Sequence, residues 1–316
     1  MIATILDQIA GGKRFLVASH ESPDGDALSS TLALTLSLRA LGKEVVAYNR
    51  DGMPESFSFL PGAATVVNQL SDDLRFDVGF ILDAGELRRA GTQLPQLCTS
   101  LVNIDHHPHS DIPGALNFVD IQASATGVLI YRILAAGNLP LTRDVAFCIY
   151  TAILSDTGSF RYANADAEAF RVAGEMVALG INPWDVASNL YENQPEKRLR
   201  LLALALPTLT VSTSGLYASI AVTNAMMQQT GATAEHTDGF VNYPRSIHGV
   251  EVSLFFRQVD AASFKVGFRS KGAVDVGSLS RELGGGGHHN AAGAMVEGTL
   301  DEVRRTVFAR IDQLLA

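Results

Sequence analysis

The 316-residue chain is 47% hydrophobic, enough for two domains with real cores, which excludes an intrinsically disordered protein. Its 24 Lys and Arg against 33 Asp and Glu leave a net charge of −9, so a broad basic face for long duplex DNA is excluded; small anionic substrates stay compatible where cations offset the charge. With only Cys98 and Cys148, neither a disulfide framework nor a thiolate metal site is indicated, and both thiols read as packed core residues.

The first fifteen residues lack a charged segment followed by a long apolar one, and no run of about eighteen apolar residues occurs, so a cytoplasmic protein without membrane partners is expected. Apolar segments alternate with amphipathic ones through roughly the first 180 residues, the pattern of βαβ units on a mostly parallel sheet. Strands are predicted at 15–19, 44–48, 78–82 and 101–104. Helical stretches lie between and after them: "ALSSTLALTLSLRALG" closes on Gly42 as a C-cap, and "TGVLIYRILAAGN" and "RDVAFCIYTAILSDTG" are rich in Ala, Leu and Ile.

"NQPEKRLRLLALALP", residues 193–207, has a charged start and helix formers and stops at Pro207, which suits a connecting helix. Beyond it "GLYASIAV", "VEVSLFFRQV" and "SFKVGFRS" are β-rich, and "GGGGHHNAAG" reads as a glycine-rich loop before a final amphipathic helix, "LDEVRRTVFARIDQLL". The expected architecture is α/β: a parallel-sheet domain over 1–190, a linker helix over 191–207 and a smaller α+β domain over 208–316.

Four separated segments each end an apolar run with acidic or imidazole groups: "SHESPDGD", "FILDAG", "LVNIDHHPH" and "AILSDTGSF". Singly, each has a plain reading. Asp-Gly-Asp is a common turn in which Gly supplies positive φ, an isolated His-His pair is more often a surface feature, and Asp156 before Thr157-Gly158 fits a turn or N-cap. Jointly, they place His20, Asp24, Asp26, Asp83, Asp105, His106, His107 and Asp156 at one edge of the sheet. So many carboxylates in one crevice cost several kcal/mol of repulsion and desolvation unless cations are present. Oxygen and imidazole donors without thiolate suit Mn²⁺ first, with Mg²⁺, Co²⁺ or Fe²⁺ as alternatives. Two such ions about 3.5–4 Å apart lower the pKa of a shared water and clamp both oxygens of a phosphoryl displacement.

The set resembles the DHH phosphoesterase superfamily, whose Asp-His-His motif stands here as Asp105-His106-His107. "HESPDGD", "LDAG", "IDHH" and "SDTGSF" match its motifs in order, and "FRS" with "GGGGHHNAAG" looks like the DHHA1 substrate domain. Within the superfamily the length and short linker are similar to the nanoRNase and pAp-phosphatase group. One departure is Ser29, where many members have glycine. The resemblance implies one metal on His20, Asp24 and Asp83 and a second on Asp26, Asp83, His106 and Asp156, with Asp83 bridging. His107 would stabilise charge on the phosphoryl oxygens, Asp105 would orient a neighbouring imidazole, and no covalent intermediate would form.

Glycine runs let backbone amides approach an anion, and arginine forks match phosphate bidentately. The resemblance accordingly implies that Gly285, Gly286 and His288, with Arg257, Arg269 and Ser270, hold the substrate's terminal phosphate and base in a cleft between the domains. Expected substrates are short single-stranded RNA of about two to five residues, linear dinucleotides and 3′-phosphoadenosine 5′-phosphate (pAp), because a closed pocket measures its ligand. The alternatives are an inorganic polyphosphatase or pyrophosphatase, and an inactive nucleotide-binding module. A homodimer is the default assembly.

Overall fold

The computed structural model describes residues 1–315, and the side chain of His288 also lies outside the described residues. The chain divides into two compact units, Met1–Asn193 and Gln194–Ala316.

The first unit is built on six parallel strands: β1 Arg14–Ser19, β2 Glu44–Tyr48, β3 Val66–Val67, β4 Phe76–Leu82, β5 Cys98–Asp105 and β6 Leu116–Val119, in the order β3-β2-β1-β4-β5-β6. The apolar run of β1 is buried on both faces, as a central parallel strand requires. Phe15 and Val17 pack under the helices Gly25–Ala40, Thr126–Ala136 and Arg143–Asp156, while Leu16 and Ala18 pack on Ala90, Leu94 and Leu97 of the opposite layer. Phe15, Leu16 and Val17, each fully buried, contribute about 1.5–3 kcal/mol apiece. The helix Gly25–Ala40 is buried almost all round, small hydroxyl side chains such as Ser29, Ser30 and Thr31 included, because it is covered on several sides. Cys148 is buried and Cys98 half-buried, and both are free thiols.

The second unit is a mixed sheet of β7 Thr210–Val211, β8 Tyr217–Val222, β9 Val252–Asp260, β10 Ser263–Ser270, β11 Gly286–His288 and β12 Ala291–Glu297, ordered β11-β12-β10-β9-β8-β7. Only β8 and β9 run parallel. One face packs Phe256, Phe264, Val266 and Phe268 against the helices Val276–Glu282 and Leu300–Leu314. On the other, Ile220, Val222 and Phe255 meet the helix Glu196–Ala205 through Leu201, Leu202 and Ala205.

Two expectations change here. The helix Glu196–Ala205, read as a connection, is part of the second unit's core, and Arg198 fixes it by donating to the carbonyls of His236 and Asp238 at 2.6 Å each. The glycine run is not a loop. Gly284, at φ 77°, ends the helix Val276–Glu282: its N–H donates to Arg281 O and that of Gly285 to Ser280 O, a Schellman cap. Gly286 and Gly287 then enter β11 and pair with β12.

Candidate metal centre

His20 follows β1 and Asp83 follows β4, and because Ser19 is in register with Leu82 the two leave the sheet side by side. The strand order reverses here, which makes this edge the crevice where open α/β sheets receive ligands. Asp83 is left-handed, at φ 57°, uncommon for a residue other than glycine. Its N–H donates to Ile104 O at 3.0 Å, which fixes the turn beside the end of β5, where Asp105, His106 and His107 follow.

Asp24 is the N-cap of the helix Gly25–Ala40, its Oδ1 accepting from Ala27 N–H at 3.0 Å, and Asp26 lies buried in the first turn. The Asp-Gly-Asp stretch is therefore a helix start, and Gly25 serves space instead of positive φ: a Cβ there would stand 2.2 Å from Ser155 Oγ. The Asp26 carboxylate accepts from Thr126 N–H at 2.6 Å, Gly127 N–H at 3.0 Å and Ser30 Oγ at 2.8 Å. It thus sits on the N-terminus of the helix Thr126–Ala136, where the dipole favours negative charge. Asp156 ends the helix Arg143–Asp156, and its Oδ2 accepts from Asn164 Nδ2 at 3.1 Å.

The imidazoles fall into two kinds. His20 Nδ1 donates to Glu21 O at 2.7 Å and His106 Nδ1 to Ala123 O at 3.1 Å, which turns each Nε2 lone pair toward the carboxylates. His20 Nε2 stands 3.6 Å from Asp83 Oδ2 and 4.0 Å from Asp24 Oδ1. His106 Nε2 stands 3.5 Å from Asp83 Oδ1 and 3.8 Å from both Asp26 Oδ2 and Asp156 Oδ2. These separations exceed a hydrogen bond and suit donors that share one cation at roughly 2.0–2.2 Å each. His107 is reversed. Its Nδ1 faces Asp105 Oδ1 at 2.7 Å and Asp83 Oδ1 at 3.3 Å, so its Nε2 is directed away from that pair.

Three donor sets have ligand atoms within 4.8 Å of one another: His20-Asp24-Asp83, Asp26-His106-Asp156 and Asp83-His106-His107. The first two, joined through the two oxygens of Asp83, are a set that could hold a pair of divalent ions. In the third, the His107 nitrogen is already committed to Asp105.

The protein alone leaves this cluster in conflict. Burial pushes Asp26 well above the usual carboxylate range, and the charge of Asp83 adds to it. Burial likewise raises Asp156 to about 6, at a helix C-terminus where negative charge is disfavoured. Burial would lower His106, but Asp156, Asp83 and Asp26 outweigh it and push it up to about 9. Against its own burial, Asp83 is held well below the usual range by His107, His20 and His106. Cations between these groups would relieve the conflict.

Of the second-unit candidates, Arg269 and His288 are in register on either side of Ala291, with Ser270 following Arg269 and Gly286 opposite Gly293, while Arg257 stands apart. Arg257 on β9 is opposite Lys265, whereas Arg269 on β10 is opposite Ser253, so the two arginines share a face but stand roughly 13 Å apart along the strands. Ser270 is buried, donating to Val274 O at 2.6 Å and accepting from Asn290 Nδ2 at 2.8 Å, so its hydroxyl is engaged within the turn. Gly285 is close-packed, since a Cβ would stand 2.2 Å from Gly293 O, while one at Gly286 would meet nothing.

Sequence reasoning did not single out the supporting layer. Thr126 Oγ1 donates to Asp83 Oδ1 at 3.0 Å, Asn49 Nδ2 to His20 O at 2.8 Å, and Ser110 Oγ and Gly85 N–H to Asp105 Oδ2 at 2.8 and 2.6 Å. A short polar residue at the start of a helix, as in Thr126-Gly127, was the one available signal.

Residues 14–153 match the family model described as the DHH family, N-terminal domain, and residues 213–316 match the DHHA1 domain. The bifunctional oligoribonuclease and PAP phosphatase NrnA of Thermus thermophilus is 32% identical, with 100% of this chain and 94% of that protein covered. Its Bacillus subtilis namesake is 30% identical over 88% and 87%. Among solved structures, an exopolyphosphatase-related protein from Bacteroides fragilis is 27% identical, with a TM-score of 0.88 over 99% of this chain and 95% of that one.

Proposed function

The chain belongs to the DHH family, and on that premise we propose a two-metal phosphoesterase that hydrolyses short oligoribonucleotides and linear dinucleotides to mononucleotides, and pAp to AMP and phosphate. The observation that carries the reading is Asp83, whose Oδ2 faces His20 and whose Oδ1 faces His106. His20, Asp24 and Asp83 would hold one ion and Asp26, Asp83, His106 and Asp156 the other, with Mn²⁺ preferred to Mg²⁺ or Co²⁺ for this donor set. When bound, such ions neutralise phosphoryl oxygens and lower the pKa of water into the neutral range.

The chain's own groups do the rest. In the metal-free cluster Asp83 and Asp105 push His107 well above its ordinary value against the effect of burial, which favours a cationic ring there. Its Nε2 side would meet the phosphoryl oxygens and stabilise charge developing there. Asp26 and Asp83 keep fixed rotamers because Thr126, Gly127 and Ser30 hold their oxygens. The relatives named as oligoribonuclease and PAP phosphatase supply the substrate classes.

The description of the solved relative as exopolyphosphatase-related favours a second reading, inorganic polyphosphate hydrolysis. Mn²⁺-loaded protein given 5′-phosphorylated RNA from dinucleotides to long oligomers, pAp and polyphosphate in parallel separates the two. Mononucleotide release confined to the shortest RNAs supports the first reading. Turnover of polyphosphate alone overturns it, and tight dinucleotide binding without turnover points to an inactive binding module.

A further inference from the structure

Arg89 lies in the short helix Leu87–Ala90 that follows the Asp83-Ala84-Gly85 turn. Its Nη1 donates to Ala84 O at 3.0 Å, and its own carbonyl accepts from Glu21 N–H at 2.8 Å. Its positive charge is felt at His20, where it opposes protonation. The guanidinium is thereby tied to the turn that carries Asp83, and the Arg89 backbone to the segment between His20 and Asp24.

Its neighbours behave differently. Arg88 pairs with Glu86 and Arg50 with Glu21. Among the described residues Arg89 forms no ion pair, and the Ala84 carbonyl is the acceptor recorded for its guanidinium. Most of its five N–H donors are therefore uncommitted. A half-buried arginine whose charge reaches His20, yet which forms no ion pair among the described residues, is placed for an anion from outside.

We propose that Arg89 grips a non-bridging oxygen pair of the substrate phosphate, a contact made from the metal-bearing unit. This rests on the phosphoester reading above and adds the residue that draws an anion into an acidic crevice. A planar fork that is always charged suits phosphate bidentately, and a lysine in its place would keep the charge and lose the fork.

The competing explanation is a strut: Arg89 merely fixes the Ala84 turn, and so Asp83. Arg89→Gln and Arg89→Lys in the full chain separate the two through Mn²⁺ affinity by calorimetry, binding of inorganic phosphate and AMP to the Mn²⁺-loaded protein, and KM and kcat on bis(p-nitrophenyl) phosphate. The proposal expects Arg89→Gln to weaken phosphate and AMP binding and to raise KM at least about tenfold, the size of a lost charge-assisted hydrogen bond, with Mn²⁺ affinity unchanged and Arg89→Lys intermediate. Unchanged anion binding in Arg89→Gln overturns it, as does a loss that tracks weakened Mn²⁺ binding. If wild-type protein neither binds these anions nor cleaves any phosphoester, the phosphoester reading itself fails, a result the variants are not needed to reach.

Discussion

Asp105 accepts two hydrogen bonds from one residue: His107 donates from its backbone N–H at 2.8 Å and from Nδ1 at 2.7 Å, both to Oδ1. The other oxygen is held by Ser110 Oγ and Gly85 N–H, so a fully buried carboxylate is satisfied on all sides and fixes one imidazole. Asp105→Asn should lower kcat about 10–100-fold while Mn²⁺ affinity stays within a few-fold, because Asp105 belongs to none of the donor sets. Steady-state kinetics beside Mn²⁺ calorimetry checks this. An equal loss of metal affinity would assign Asp105 to the metal sites instead.

Mn²⁺ uptake should strengthen as pH rises. His106 is pushed up to about 9 and Asp156 to about 6 in the metal-free cluster, so below those values protons occupy groups that must be vacated for a cation. The sign follows directly: at about 9 His106 keeps its proton at neutral pH and loses it only on going alkaline, whereas Asp156, at about 6, competes only on the acid side of neutral. Each displaced proton contributes up to about tenfold in affinity per pH unit. Calorimetry at several pH values, in buffers of different ionisation enthalpy, reads both the slope and the proton release; a flat profile contradicts the placement of His106.

Metal removal should destabilise the first unit selectively, since its buried carboxylates then repel one another. Ions at a hundredfold excess over Kd stabilise by about 2.7 kcal/mol per site, which for a domain of this size is roughly 5–10 °C in Tm. Scanning calorimetry with Mn²⁺ and with chelator should show one transition moving and that of the second unit staying. Asp26→Asn should shrink the shift.

Gly25→Ala should reduce activity by steric displacement. The added Cβ would stand 2.2 Å from Ser155 Oγ and 2.7 Å from Ser155 Cβ, forcing the helix that carries Asp24 and Asp26 off the helix Arg143–Asp156. Overpacking of this kind costs about 1–3 kcal/mol. Ser155→Gly on top of Gly25→Ala should restore both stability and activity in a double-mutant cycle, and failure of that rescue would mean Gly25 acts by another route.

The metal-site candidates were legible in the sequence because each ends an apolar run, and parallel strands deliver such ends to one edge. Their supports were not. Thr126 and Gly127 act on Asp26 through backbone N–H groups a hundred residues away in sequence, which no side-chain pattern announces. The glycine run misled for a local reason: the helix Val276–Glu282 has only seven residues, too short for a clear period, so its capping glycines read as a loop. The surroundings of Ser270, read as a substrate contact, were not legible either: its hydroxyl donates to Val274 O and accepts from Asn290 Nδ2, twenty residues further on.

The measurement closest to the central claim is anomalous diffraction from crystals grown with Mn²⁺. The account predicts two peaks per chain, one in contact with Asp83 Oδ2, His20 and Asp24, the other with Asp83 Oδ1, Asp26, His106 and Asp156. A single peak, or two that do not share Asp83, would contradict it.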